Sequence, residues 1–291
     1  MKSVKFLFSL ICGLFLFVSC VPEADSSGDL LHGIGNIGIG NGGGGNSGGG
    51  GDAPSVISNK VLSKIFTHTK DDTTGQWEDE TTIFNYENKR LKSISVSGGD
   101  DITFEYNADG KISKIISSGF TGVYTYDAQK IASKLSIDIM GMSQIVTDFT
   151  YDSLGKISKM KNTSAVSFPI AMDVIREDVL SYNSNQVTKC ISSYTVTPAG
   201  PDVPANVTST YTYDNKISPF YTLPLAYNLF VISFGGANSY ILSKNNLTKA
   251  VVISGINDTT NYTYEYDSEG YAVKGKNSGD GGYSTFEYIK L

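Results

Sequence analysis

Few residues of this 291-residue chain are equipped for acid–base, nucleophilic or metal chemistry: it has two histidines and three cysteines. His32 stands in a glycine tract, and His68 stands in the alternating run KIFTHTKDD, where strand periodicity reads it as a surface side chain rather than a base or ligand. No HExxH or CxxC spacing occurs, so no metal and no cofactor is expected. GIGNGG from Gly38 fits a dinucleotide fingerprint in letters alone, and GNSGG from Gly45 likewise fits a nucleophile elbow. Neither lies between a strand and a helix, which is the context that gives those glycines their purpose. Carboxylates are what remain. Asp71, Asp72, Glu78, Asp79 and Glu80 crowd one stretch, and Asp100 and Asp101 follow Gly98 and Gly99. A glycoside hydrolase needs two carboxyls about 5 to 10 Å apart, which spacing along the chain does not establish. They read first as solvated turn acids.

Aromatic side chains offer the better prospect, through binding rather than reaction. Trp77 is the sole tryptophan and lies in DDTTGQWEDE, between charged residues at a turn. Such a ring either contacts a sugar or protein partner or folds back on a sheet edge. A second aromatic concentration, FYTLPLAYNLFVISFGGANSY, holds Phe220, Tyr221, Tyr227, Phe230 and Phe234. Pro219 and Pro224 make a regular central strand improbable there. The segment either plugs the end of a curled sheet or shows an apolar patch to a partner.

The elements that must position these residues follow from a repeat. FNYENKRLKSI at 84, FEYNADGKISKI at 104, YTYDAQKIASKL at 124, FTYDSLGKISKM at 149, LSYNSNQVTKCI at 180, YTYDNKISPF at 211 and YEYDSEGYAVKG at 264 share one grammar. Each runs from an aromatic or Leu through a polar residue to Tyr, then through a polar turn to a basic or polar residue and an aliphatic one. Residues two apart share a strand face, so Phe104 and Tyr106 face one way and Thr103 and Glu105 the other. Asn107 to Gly110, Asp152 to Gly155 and Asp267 to Gly270 supply turns in which Asn or Asp caps local amides and glycine takes the left-handed conformation. The unit is a β-hairpin led by an anchor tyrosine: Tyr86, Tyr106, Tyr126, Tyr151, Tyr182, Tyr213 and Tyr266, with Tyr288 closing the series. SNKVLSKI at 58 and SKNNLTKAVV at 243 read as second strands of further units, FEYIKL at the end reads as a closing first strand, and the 53-residue gap between Tyr213 and Tyr266 as holding an extra unit. The expected fold class is all-β, an antiparallel meander of about sixteen short strands, curled or barrel-like, over residues 53–291. One helix is open over 168–180, FPIAMDVIREDVL.

The repeat resembles the YD repeats of RHS-type bacterial surface and toxin-encasing proteins: YDSLGKI at 151 to 157 fits their core, as do YNADGKI at 106 to 112 and, less closely, YDSEGYA at 266 to 272. That resemblance implies a strand-rich shell and imports no activity. The chain also resembles a group of Bacteroidetes-type lipoproteins with a porin-like β fold. Strands of about seven residues, polar at alternate positions, are too short to cross a bilayer, so a soluble barrel is expected rather than a pore.

The beginning of the chain gives an address. MKSVK leads into thirteen almost wholly apolar residues, Phe6 to Val18, the h-region of a secretory signal. Phe17, Val18, Ser19 and Cys20 resemble the lipobox of bacterial lipoproteins, with Phe17 where Leu is usual. The resemblance implies a signal peptide over 1–19, cleavage before Cys20, and a diacylglyceryl group on its sulfur with acylation of the new amino terminus. An ordinary secretory signal is the alternative. Residues 20–52 form the lipidated start and a tether, with twelve glycines among the nineteen residues from Gly33 to Gly51. Glu23 and Asp25 follow Cys20 closely and resemble an outer-face export signal of the same bacteria. Loss of the signal removes Lys2 and Lys5 and no acid, leaving 21 basic and 29 acidic residues, a net charge of −8. Nucleic acid is an unsuitable partner for such a chain. Cys190 is left as the sole thiol, in an alternating run, and reads as a small buried apolar group.

The expected function is therefore a membrane-anchored outer-membrane lipoprotein, a non-catalytic binding module for a glycan or envelope protein. A structural envelope protein without ligand and a carboxylate-dependent glycoside hydrolase remain the alternatives.

Overall fold

The computed structural model describes residues 60–70, 75–129, 131–166, 172–197, 206–235, 238–254, 257–278 and 281–291. The signal, Cys20, the tether, His32, Asp71 and Asp72 lie outside them. Sixteen strands form one closed antiparallel barrel: β1 (Lys60–Lys70), β2 (Trp77–Glu87), β3 (Arg90–Val96), β4 (Ile102–Tyr106), β5 (Ile112–Ser117), β6 (Phe120–Tyr126), β7 (Ala132–Ile139), β8 (Ser143–Tyr151), β9 (Ile157–Val166), β10 (Met172–Asn183), β11 (Gln186–Thr197), β12 (Asn206–Ile217), β13 (Asn245–Ile253), β14 (Asn257–Tyr266), β15 (Ala272–Asn277) and β16 (Tyr283–Lys290). Neighbours in sequence are neighbours in the wall, and β16 pairs with β1 to close it. The two fragments at the ends of the repeat thus form one hairpin unit between them.

Alternation decides which face is which. Leu62, Ile65, Phe84, Ile94, Ile115, Leu135, Ile137, Ile145 and Met160 point inward and are almost fully buried. The outer wall carries lysines, acids and threonines in cross-strand pairs: Lys64 with Glu287 at 2.9 Å, Lys114 with Glu105 at 3.3 Å, Lys134 with Asp148 at 3.6 Å, Lys159 with Glu177 at 2.6 Å. Each such exposed pair contributes little to stability, about 0–1 kcal/mol. Their value as an observation is that they mark a wetted face.

The anchor tyrosines form a ladder around one rim. Each of six hydroxyls donates to a backbone carbonyl of the preceding unit: Tyr86 to Leu62 at 2.8 Å, Tyr106 to Leu91 at 2.6 Å, Tyr126 to Ile112 at 2.7 Å, Tyr151 to Ala132 at 2.7 Å, Tyr213 to Val187 at 2.6 Å and Tyr288 to Ala272 at 2.7 Å. The acceptor is the residue that pairs with the previous anchor, as Leu91 pairs with Tyr86 and Ile112 with Tyr106. The ladder continues across the closure, because Leu62, which receives Tyr86, pairs with Tyr288. Burial pushes the Tyr106 and Tyr126 phenols up to about 12, so they remain donors at neutral pH. Tyr266 departs from the rule and donates to the Asp214 carboxylate instead.

Register shifts by one residue just before the anchor in each of these hairpins, at Asn85/Tyr86, Glu105/Tyr106, Thr125/Tyr126, Thr150/Tyr151, Ser181/Tyr182 and Glu265/Tyr266. The extra residue of the bulge lies on the second strand. Where it is Ser133, Ser158 or Thr188, its hydroxyl donates to the carbonyl of the residue before the anchor, at 3.2, 3.2 and 3.3 Å. The turns are as expected: Asn107 Oδ1 accepts from the amides of Asp109 and Lys111, Asp152 Oδ1 from those of Leu154 and Lys156, and Gly110 and Gly155 have φ of +74° and +76°.

Three expectations are corrected. Strands run from five to twelve residues rather than about seven, and several match the length of a bilayer-crossing strand. Within the open helical segment 168–180, the described part is strand β10: its inward residues Arg176, Asp178 and Leu180 alternate with outward Glu177 and Val179, a period of two that a helix cannot supply. The gap between Tyr213 and Tyr266 holds no extra unit, because SKNNLTKAVV is the second strand of the Tyr213 hairpin. Its additional length is an insertion between β12 and β13, with helix α1 (Leu225–Gly235) flanked by single 3-10 turns at Pro219–Thr222 and Ser239–Leu242. This helix has no polar stripe, having barrel wall on every side, and its two polar side chains, Asn228 and Ser233, are buried with the rest. Leu229 and Ile232 are completely buried. Arg176 donates to the Ile232 carbonyl at 2.8 Å and Asn162 to that of Ser233 at 2.7 Å, supplying donors and a positive charge at the carboxyl end of α1.

A rim strip of aromatic side chains as the candidate functional site

At the rim opposite the tyrosine ladder, the outward positions of β2, β1 and β16 bring together residues far apart in sequence. His68 pairs in register with Asp79 on one side and Tyr283 on the other. The imidazole lies flat against the Trp77 indole, with centroids 4.5 Å apart and planes within 5°. Its Nδ1 donates to Asp79 Oδ1 at 2.6 Å. Beyond His68 stands Tyr283 at 5.3 Å, then Phe66 at 6.2 Å from Tyr283, with Lys274 Nζ 4.7 Å from the Tyr283 ring centroid. The stack holds the indole in one orientation while leaving it 47% exposed.

Strand lengths explain why this ring is open to solvent. β3 stops at Val96, opposite Thr82, and the chain then turns away with the Ser97 amide on the Thr81 carbonyl and the Thr81 amide on Ser97 Oγ. β2 continues past that point to Trp77. Among the described residues, Trp77–Glu80 is therefore flanked by β1 alone. One indole face meets His68, and Lys70 pairs in register with Trp77. Glu78 and Glu80 alternate with Asp79 and sit on the lumen side of β2. Burial, with the charge of Glu78 beside it, pushes the Glu80 carboxyl up from its ordinary value.

The other aromatic candidates take a different place. Phe220, Tyr227 and Phe230 are buried inside the barrel, and Tyr221 and Phe234 are half-buried against the same core. Tyr227 meets Phe84 and Phe104 edge-on at 6.2 and 6.0 Å, and Phe230 stacks on Phe120 at 5.1 Å. Of the two readings of this segment, filling is the one realised. Cys190 is buried as expected. Composition and context point to Trp77, and alternation puts His68 on the strand surface, but neither shows that the two rings stack or that Tyr283 of β16 adjoins them. The available signal was the matching alternation of KIFTHTK and YSTFEYIK, which puts both on an outer face once those strands are paired. Among the described residues, no group of three or more His, Cys, Asp or Glu could hold a metal ion.

No protein-family model and no curated protein matches the sequence. Solved structures do match the fold. A porin-like protein from Bacteroides uniformis aligns with a TM-score of 0.52 and 16% identity over 78% of this chain and 98% of the other. A porin-like protein from Bacteroides vulgatus aligns with a TM-score of 0.42 and 12% identity, over 80% and 100% respectively. At such identities the likeness is one of fold: this chain is an all-β, sixteen-stranded antiparallel barrel.

Proposed function

We propose that the chain is a lipoprotein of the outer membrane, anchored through Cys20 and exposed at the cell surface, whose barrel presents the Trp77 strip to a ligand and carries out no reaction. The observation that carries this reading is the half-exposed indole locked against His68 at the open rim. The direction of the chain supports it. β1 starts at the tyrosine rim, where the tether would arrive, and reaches Lys70 beside Trp77 ten residues later, about 30 Å of strand at ~3.3 Å per residue. An anchored barrel therefore holds the strip on its far side from the membrane. The wetted wall argues for a barrel standing free of the bilayer, since a lysine facing lipid at the midplane costs about 2–4 kcal/mol and this wall has several. The porin-like fold is compatible with an envelope setting.

The test is a glycan array probed with the full-length chain and with Trp77→Ala, beside protease shaving of intact cells. Array signals that vanish in the variant, and release of the barrel by shaving, are the expected results. A blank array leaves a ligand-free structural role, and signals indifferent to Trp77 move the binding site away from the strip; turnover of a bound glycan points to the hydrolase.

A further inference from the structure

Strand β2 has an unpaired edge beyond the point where β3 ends, and we propose that this edge receives an added strand, an extended peptide segment of a partner protein with basic side chains at alternate positions. The edge is distinct from the indole face, and its occupant does not depend on what the ring binds. Both main-chain groups of Thr81 point away from β1: its amide donates to Ser97 Oγ at 2.8 Å, and its carbonyl accepts from the Ser97 amide at 2.8 Å. Main-chain groups of successive residues point to opposite sides of a strand. Those of Asp79 and Trp77 therefore point the same way as those of Thr81, while those of Glu78 and Glu80 point to β1. Past Ser97 the chain folds back, with the Gly99 amide on the Val96 carbonyl, and β4 is entered at Ile102 opposite Ile94. Among the described residues, none pairs with Asp79 or Trp77 on that side. The edge thus offers two N–H and two C=O groups at strand spacing, held in line by β1 on the other flank, which is the arrangement an added strand completes.

Side chains decide the occupant. An added strand lays its residues alternately on the two faces of the sheet, so half stand beside Glu78 and Glu80 on the lumen face and half beside Trp77 and Asp79 on the outer face. The outer face has His68 and Lys70 in register with Asp79 and Trp77, both on the β1 flank. The lumen face has no such balance across β1, where Glu78 and Glu80 meet Thr69 and Thr67. A second copy is a poor occupant. With faces matched, antiparallel pairing of β2 on β2 sets Asp79 on Asp79 and Glu78 on Glu80, or Glu78 on itself, and like charges directly opposite are destabilising. Lysine or arginine at every second position of a foreign strand turns the same positions into opposite-charge pairs.

The probe is a short fluorescein-labelled peptide of alternating lysine and threonine, titrated into the full-length chain in detergent. Its controls are a peptide of the same composition with the lysines in one block, and an alternating glutamate–threonine peptide. The alternating lysine peptide is expected to bind with a Kd at least about tenfold below that of either control. Glu78→Gln/Glu80→Gln, checked for unchanged far-ultraviolet dichroism, is expected to erase that margin. Amide exchange resolved by NMR gives the geometric readout: the bound peptide slows Trp77 and Asp79 and leaves Glu78 and Glu80, already bonded to β1, unchanged. Absence of binding, equal binding of the block peptide, or protection without that alternation overturns the inference. So does slowing of the same two amides when the chain is concentrated alone, which would give the edge to a second copy. Glycan signals that depend on the indole are read separately and stand or fall without these results.

Discussion

At the scale of single residues, two side chains allow sharp tests. Glu80 has its carboxyl raised by burial and by Glu78, so the folded state holds the proton more tightly than the unfolded chain. Such a group favours folding below its unfolded value near pH 4 to 4.5 and loses that contribution as pH rises through the folded value. Glu80→Gln should therefore raise the melting temperature at pH 7 and leave it unchanged at pH 3.5; a gain independent of pH would disprove the assignment. Tyr126→Phe removes one rung, the bond to the Ile112 carbonyl, and should cost about 1 kcal/mol in urea denaturation. A neutral result would mean that the phenol ring alone sets the rung. The anchor tyrosines were legible in the sequence because their spacing repeats, and their turns because Asn or Asp before Gly has a local physical cause. What their hydroxyls grip was not legible, since the acceptor belongs to the unit before and is fixed only when strands pair. His68 illustrates the same limit: its face could be read from alternation, but the indole stacked on it comes from the neighbouring strand.

At the scale of elements, the Ser two residues before the second strand's aliphatic position, as in KIASKL and GKISKM, has a reason. It is the bulge residue, bonded back to the strand before the anchor. A period-two reading treats it as one more polar position because a bulge is visible only in register. Helix α1 escaped for a different reason. Its sequence lacks an amphipathic stripe, having wall on every side, and prolines at 219 and 224 argued only against strand. Phe230→Ala should cost roughly 3–5 kcal/mol, the usual penalty for emptying a packed aromatic site, measured by chemical denaturation. The same variant should leave ligand binding at Trp77 intact in the fraction that folds; a selective loss of binding would put the helix into the site.

For the whole molecule, strand count and the inner apolar face followed from the repeat, whereas closure did not, because nothing in a meander announces that its last strand will find its first. The expected strand length was short by several residues, and with it went the simplest argument against membrane insertion. Outer-wall polarity replaces it. Full-length Cys20→Ser is accordingly expected to partition into water without detergent and to give no conductance in planar bilayers; steady single-channel currents would refute a solid, water-facing barrel. The departure at Tyr266, which reaches Asp214 instead of a wall carbonyl, marks one place in the hoop. Asp214 is itself held by the Lys216 amide and by Asn246, so this rung ends on a side chain fixed from both strands of the Tyr213 hairpin. The helix-bearing insertion interrupts that same hairpin, between β12 and β13, so the strand pair whose turn has been opened to take a helix is stitched below the opening by a carboxylate rather than by the wall alone.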